Sequence, residues 1–141
     1  MSEVVLPGRL ENRDAIRSRG HAGRRYPSLC TGSGKAIAAY DPEAAQARRD
    51  SGFPPRASGT LRSQEDWDRQ LVDVRRRGFA VSSDETFDNV TTVAVPILNL
   101  GHRAIGAISI LGPSAEITPD IDRFARLLQL SARRIGRRMS R

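Results

Sequence analysis

Val90-Thr91-Thr92-Val93-Ala94-Val95-Pro96-Ile97-Leu98, and after it Ala104-Ile105-Gly106-Ala107-Ile108-Ser109-Ile110-Leu111, is the part of the chain that reads as a complete piece of buried sheet. Both runs are rich in the β-branched and apolar residues that suit a pleated surface. Between them Asn99, Leu100, Gly101, His102 and Arg103 carry the Asn and Gly of a tight reversal, so the spacing predicts an antiparallel hairpin. Gly112-Pro113 stops the second arm, because proline donates no ladder hydrogen bond. The hydroxyls of Thr91, Thr92 and Ser109 stand among apolar neighbours. Two readings are open: ordinary strand residues with satisfied hydroxyls, or the wall of a ligand pocket.

The composition permits a folded core around this hairpin. A chain of 141 residues is one domain's worth, and such a domain buries about 70% of the surface its unfolded chain exposes. Hydrophobic residues make up 38%, which with the glycines falls in the globular range and excludes general disorder. No apolar run approaches the roughly 20 residues that span a bilayer, and the first residues lack a signal-peptide core. One cysteine, Cys30, forms no internal disulfide, so a cytoplasmic setting with no membrane partner is expected. The net charge is +7 and the pI about 11.1, an invitation to read nucleic-acid binding. Lys35 is the single lysine, however, and all other basic residues are arginines, so charge alone does not establish that function.

Outward from the hairpin, helix signals accumulate. Residues 1–24 are expected to be an arm or short edge strands, ahead of a domain over 25–141. At Cys30-Thr31-Gly32-Ser33-Gly34-Lys35-Ala36 a glycine-bracketed turn feeds a helix, leaving backbone N–H groups aimed outward as carboxylate or phosphate donors. It is not a P-loop, which needs Gly where Leu29 stands and Ser or Thr where Ala36 stands. A second reading is equally open, in which the glycines serve only a tight turn. Asp41-Pro42-Glu43 predicts the start of a short helix, and Pro54-Pro55 a loop after it. Ser63 caps the next helix, whose Trp67, Leu71 and Val74 form one buried stripe and whose Gly78 is a left-handed terminator. Asp84 and Glu85 are expected in a solvated loop. Thr118-Pro119-Asp120 predicts the start of the last helix, with Ile121, Phe124, Leu128, Ile135 and Met139 on its apolar side, reinforced by Leu127, Leu130 and Ala132.

Four blocks in this order resemble the effector-binding domain of IclR-type bacterial transcriptional regulators. They are the Pro27 to Ala36 block, the Arg75 to Val81 block with Asp84-Glu85 after it, Val93 to Ile97, and Ala107 to Pro113 followed by Ile117-Thr118-Pro119. The resemblance implies an α+β, GAF-like fold, an antiparallel sheet flanked by helices, that binds a small organic acid and passes the occupancy to a DNA-binding domain. It also implies that Gly32 and Ser33 hold the ligand's carboxylate by backbone, with Ser82, Thr92 and Ser109 lining the rest. The family often has Asp at position 82 and a second serine at Leu111, so a less polar pocket is expected here. A histidine of the family's pattern is replaced by Leu29. The family's winged helix-turn-helix finds no length in residues 1–25, which reads as an effector domain alone, whether a short natural protein or a fragment. DNA contact through a separate domain, and a homo-oligomer or a partner regulator, follow from the same resemblance.

No catalytic residue, metal or cofactor is expected. GAF-like domains that reduce methionine sulfoxide use several cysteines, and this chain has one, with His21 and His102 at no dyad spacing. Two further classes stand beside the sensor: a dimerisation partner that modulates a full-length regulator, and a nucleic-acid-binding protein acting through the arginine-rich last helix.

Overall fold

The computed structural model describes residues 3–5 and 25–27 as backbone and residues 31–140 in full. Cys30, Leu29 and His21 lie outside the described residues. Two three-residue strands, β1 (Glu3–Val5) and β2 (Arg25–Pro27), pair antiparallel. Then come α1 (Gly32–Ala38), α2 (Pro42–Ser51) and α3 (Gln64–Arg77). The sheet follows, with β3 (Ala80–Ser83), β4 (Val90–Leu98) and β5 (Ala104–Pro113) in the order β3-β4-β5, all antiparallel. A short α4 (Ser114–Ile117) and a 3-10 turn (Thr118–Asp120) lead into α5 (Ile121–Met139). The α+β expectation holds.

The predicted hairpin is β4-β5. Asn99 organises the reversal, its side-chain oxygen accepting from the Gly101 and Arg103 amides at 2.9 and 3.0 Å. The left-handed residue is His102, φ 58°, and not Gly101. Because strand side chains alternate, β4 feeds two cores. Ala94 packs with Ala36, Trp67, Leu71, Val74 and Ala80 beneath α1 and α3. Val93, Val95 and Ile97 pack with Ala125, Leu128 and Ala132 of α5 on the opposite face. Thr91 is fully buried, and its hydroxyl bonds those of Ser83 and Ser114 at 3.0 and 2.8 Å, so it is a satisfied strand residue.

The helix punctuation follows the sequence for α2 and α3. Asp41 and Ser63 accept from the amides of Glu43 and Asp66 as N-caps, and Gly78, φ 81°, closes α3. Two expectations are corrected at α5. Thr118 is already helical and its amide bonds Ser114 O, because Pro113 turns the chain into α4 immediately; α5 opens at Ile121 without a side-chain cap. Its buried side is Ala125, Leu128, Ala132 and Gly136, where small residues allow close approach; a Cβ at Gly136 would lie 2.6 Å from Leu98 O. Leu127, Leu130 and Met139 are left exposed. Among the described residues no helix is long and apolar enough to cross a membrane.

Candidate functional site

The first turn of α1 lies directly on β4. A Cβ added to Gly32 would meet Thr92 Cγ2 at 3.0 Å and Ala94 Cβ at 3.3 Å, so glycine is what lets the helix start sit down on the sheet. Thr31 caps the helix, its hydroxyl accepting from the Gly34 amide at 3.0 Å. The Lys35 amide makes the first helical bond, to Thr31 O at 3.1 Å. The donors left at this end are the Gly32 and Ser33 amides, which helical geometry leaves without an intrahelical acceptor.

The sheet register brings the other expected residues beneath that turn. Ser82 is opposite Thr92 on one side, and Leu111 is opposite Thr92 on the other. Ser109 pairs with Ala94, in the adjacent row on the same face. Gly32, Ser33, Ser82, Thr92, Ser109 and Leu111 therefore gather around one patch between α1 and the sheet. Thr92, Ser33 and Ser109 are half-buried, and Leu111 is 37% exposed.

Ser82 differs from a simple pocket hydroxyl. It is buried, and its Oγ donates to Glu85 Oε2 at 3.0 Å. Glu85 Oε1 in turn accepts from Lys35 Nζ at 2.5 Å. The same ammonium donates to Val81 O at 3.1 Å and Gln70 Oε1 at 3.3 Å, and Lys35 is fully buried. Burial pushes the Glu85 carboxyl above its usual range, while the Lys35 charge and hydrogen bonds from Lys35 and Ser82 pull the other way.

The expectation that Asp84 and Glu85 are solvated thus fails for Glu85. Asp84 adopts a left-handed φ of 56°, and its carboxylate accepts from the Asn89 amide at 2.6 Å. That kink at the end of β3 turns the next side chain inward. Thr60 is also buried; its hydroxyl donates to Glu85 O at 2.7 Å and pins the kink. Lys35 and Glu85 are the residues that sequence reasoning missed. The one available signal was that a chain this rich in arginine keeps a single lysine, immediately after the Gly-Ser-Gly turn.

A separate hollow of about 250 Å³ lies between α3 and the edge of β3, lined by Gln70, Asp73, Val74, Arg77, Phe79, Val81, Ser83 and Glu85. It shares Gln70, Val81 and Glu85 with the ion-pair cluster and holds none of the six expected site residues. Among the described residues no group of His, Cys, Asp or Glu is placed to hold a metal ion.

The site is thus a half-buried sheet face met by a glycine-started helix and edged by the hydroxyls of Ser33, Thr92 and Ser109. Residues 2–137 match the family described as bacterial transcriptional regulator IclR, C-terminal, and the chain belongs to it. The probable transcriptional regulator SauR of Cupriavidus necator is 32% identical over 120 residues, covering 84% of this chain and 48% of that protein. The crystal structure of the Thermotoga maritima IclR superposes with a TM-score of 0.89 at 24% identity, covering 99% of this chain and 58% of that one. An IclR homologue from Microbacterium hydrocarbonoxydans, complexed with 4-hydroxybenzoate, has a TM-score of 0.84 at 24% identity, covering 96% and 55%. The chain spans about half the length of the curated relative. The family it belongs to is the C-terminal domain of bacterial transcriptional regulators, and the curated relative it matches is itself a probable transcriptional regulator.

Proposed function

We propose that this domain senses a small organic acid, held between the first turn of α1 and the sheet, and that it reports occupancy to a DNA-binding domain. The ligand's carboxylate takes the Gly32 and Ser33 amides, and Thr92 and Ser109 contact its body. Ser82, already donating to Glu85, sets the floor of the site. Leu111 supplies an apolar wall where a serine would favour a more polar ligand, so an acid with an aromatic or branched body suits the site better than a two-carbon acid. The 4-hydroxybenzoate of the Microbacterium homologue is of that chemical kind. The sensing unit comprises residues 25–141, with residues 1–24 as an N-terminal arm or edge strands, working in a homo-oligomer or beside a partner regulator.

The observation that carries this reading is the placement of Gly32 over Thr92 and Ala94, whose β5 partners are Leu111 and Ser109. A thermal-shift screen with millimolar aromatic and aliphatic acids tests it. Binding to the folded state raises the melting temperature, by several degrees for a ligand well above its Kd; a flat response across the screen counts against the sensor.

A further inference from the structure

Arg123, Arg126, Arg133, Arg134, Arg137 and Arg138 of α5 are all exposed. None of the six has an ion-pair partner among the described residues, whereas Arg49, Arg69, Arg76 and Arg103 each do. At 100° per residue they fall on the side away from Ala125, Leu128, Ala132 and Gly136, which face the sheet. Asp122 is the one acid of the helix. The helix dipole accounts for Arg137 and Arg138 near the C-terminus. It disfavours Arg123 and Arg126 in the first two turns, so a solvated, dipole-matched end does not explain the row.

From Arg123 to Arg138 the helix rises about 22 Å, a length over which one strand of duplex DNA presents about six phosphates. Leu127 and Leu130 lie among the arginines, each about half exposed. Two leucines make a small apolar seam beside six guanidinium groups, so the face matches a polyphosphate better than it matches a protein surface, whose docking patches are broader and apolar at the centre. We propose that the outer face of α5 binds the phosphate backbone of duplex DNA without reading sequence, an attachment additional to any DNA-reading domain and independent of the acid site.

Fluorescence anisotropy of a labelled random-sequence duplex, titrated with the 141-residue chain at several salt concentrations, tests this. With six phosphates engaged, log K should fall against log salt with a slope of about −5. R133Q/R137Q and, separately, R123Q/R126Q should each flatten that slope by about two, and R76Q, on an arginine paired with Asp73, should leave it unchanged. The substituted side chains are exposed, and circular dichroism should show the fold retained. No anisotropy change at low salt, a slope that ignores both α5 pairs, or binding of an acidic helical peptide in preference to the duplex would overturn the proposal.

Discussion

Lys35 Nζ lies 2.5 Å from Glu85 Oε1, and the two side chains are 0% and 7% exposed. The contact ties α1, which starts the candidate acid site, to the chain just after β3, and through Ser82 to the sheet beneath that site. Two charges out of water in this way are held by each other and by Gln70, Val81 O and Ser82.

Removing one partner should therefore cost far more than removing both. K35M leaves an uncompensated buried carboxylate and is expected to destabilise the domain by about 3–5 kcal/mol. K35M/E85L, which fills the space with apolar groups, should recover most of that loss. Urea denaturation of the two variants and the wild type measures the difference.

The raised Glu85 pKa fixes a direction for pH dependence. In its ordinary state the group titrates at 4.5; in the folded chain it takes its proton more readily, so between those two values the folded state binds more protons than the unfolded. Stability contributed by protonated Glu85 is full below pH 4.5 and is lost as pH rises through the folded value. Urea midpoints measured from about pH 4 upward should fall for the wild type relative to E85Q. A wild type that gains on E85Q over that range would contradict the assignment.

Gly32 is expected to be intolerant of a branched side chain. A Cβ there already stands 3.0 Å from Thr92 Cγ2, and G32V should lift α1 from the sheet at a cost of about 1–3 kcal/mol. The thermal shift produced by any stabilising acid should vanish in G32V, while a control such as V72T, on the exposed side of α3, keeps it.

Leu111 sets the character of the ligand's body. L111S removes an apolar wall and adds a hydroxyl, so affinity for an aromatic acid should drop roughly tenfold, the effect of about 1.4 kcal/mol of lost apolar contact. Small hydroxy acids should lose nothing or gain. Isothermal titration of both ligand classes against both proteins checks the exchange.

The hairpin, the caps at Asp41 and Ser63, the Trp67 stripe and the Gly78 terminator were legible because each depends on residues close in sequence. The gathering of Gly32, Ser82, Thr92, Ser109 and Leu111 was legible only through family resemblance, since cross-strand register is not written in any one segment. Glu85 escaped because its burial depends on a left-handed Asp84, a conformation few non-glycine residues adopt, and on Thr60 holding the kink from a distant loop. The exposure of Leu127 and Leu130 escaped for a different reason: the sheet takes the Ala125-Leu128-Ala132-Gly136 stripe, whose small residues carry weak hydrophobic signal and pack closest.

Amide chemical shifts of the uniformly ¹⁵N-labelled domain, followed while an acid found by thermal shift is titrated in, locate the bound carboxylate residue by residue. The Gly32 and Ser33 amides should move first and furthest, with Thr92 and Ser109 following and the α3–β3 hollow unchanged. Perturbations confined to Gln70, Asp73 and Val81, with Gly32 and Ser33 silent, would place the acid elsewhere and contradict the proposed site.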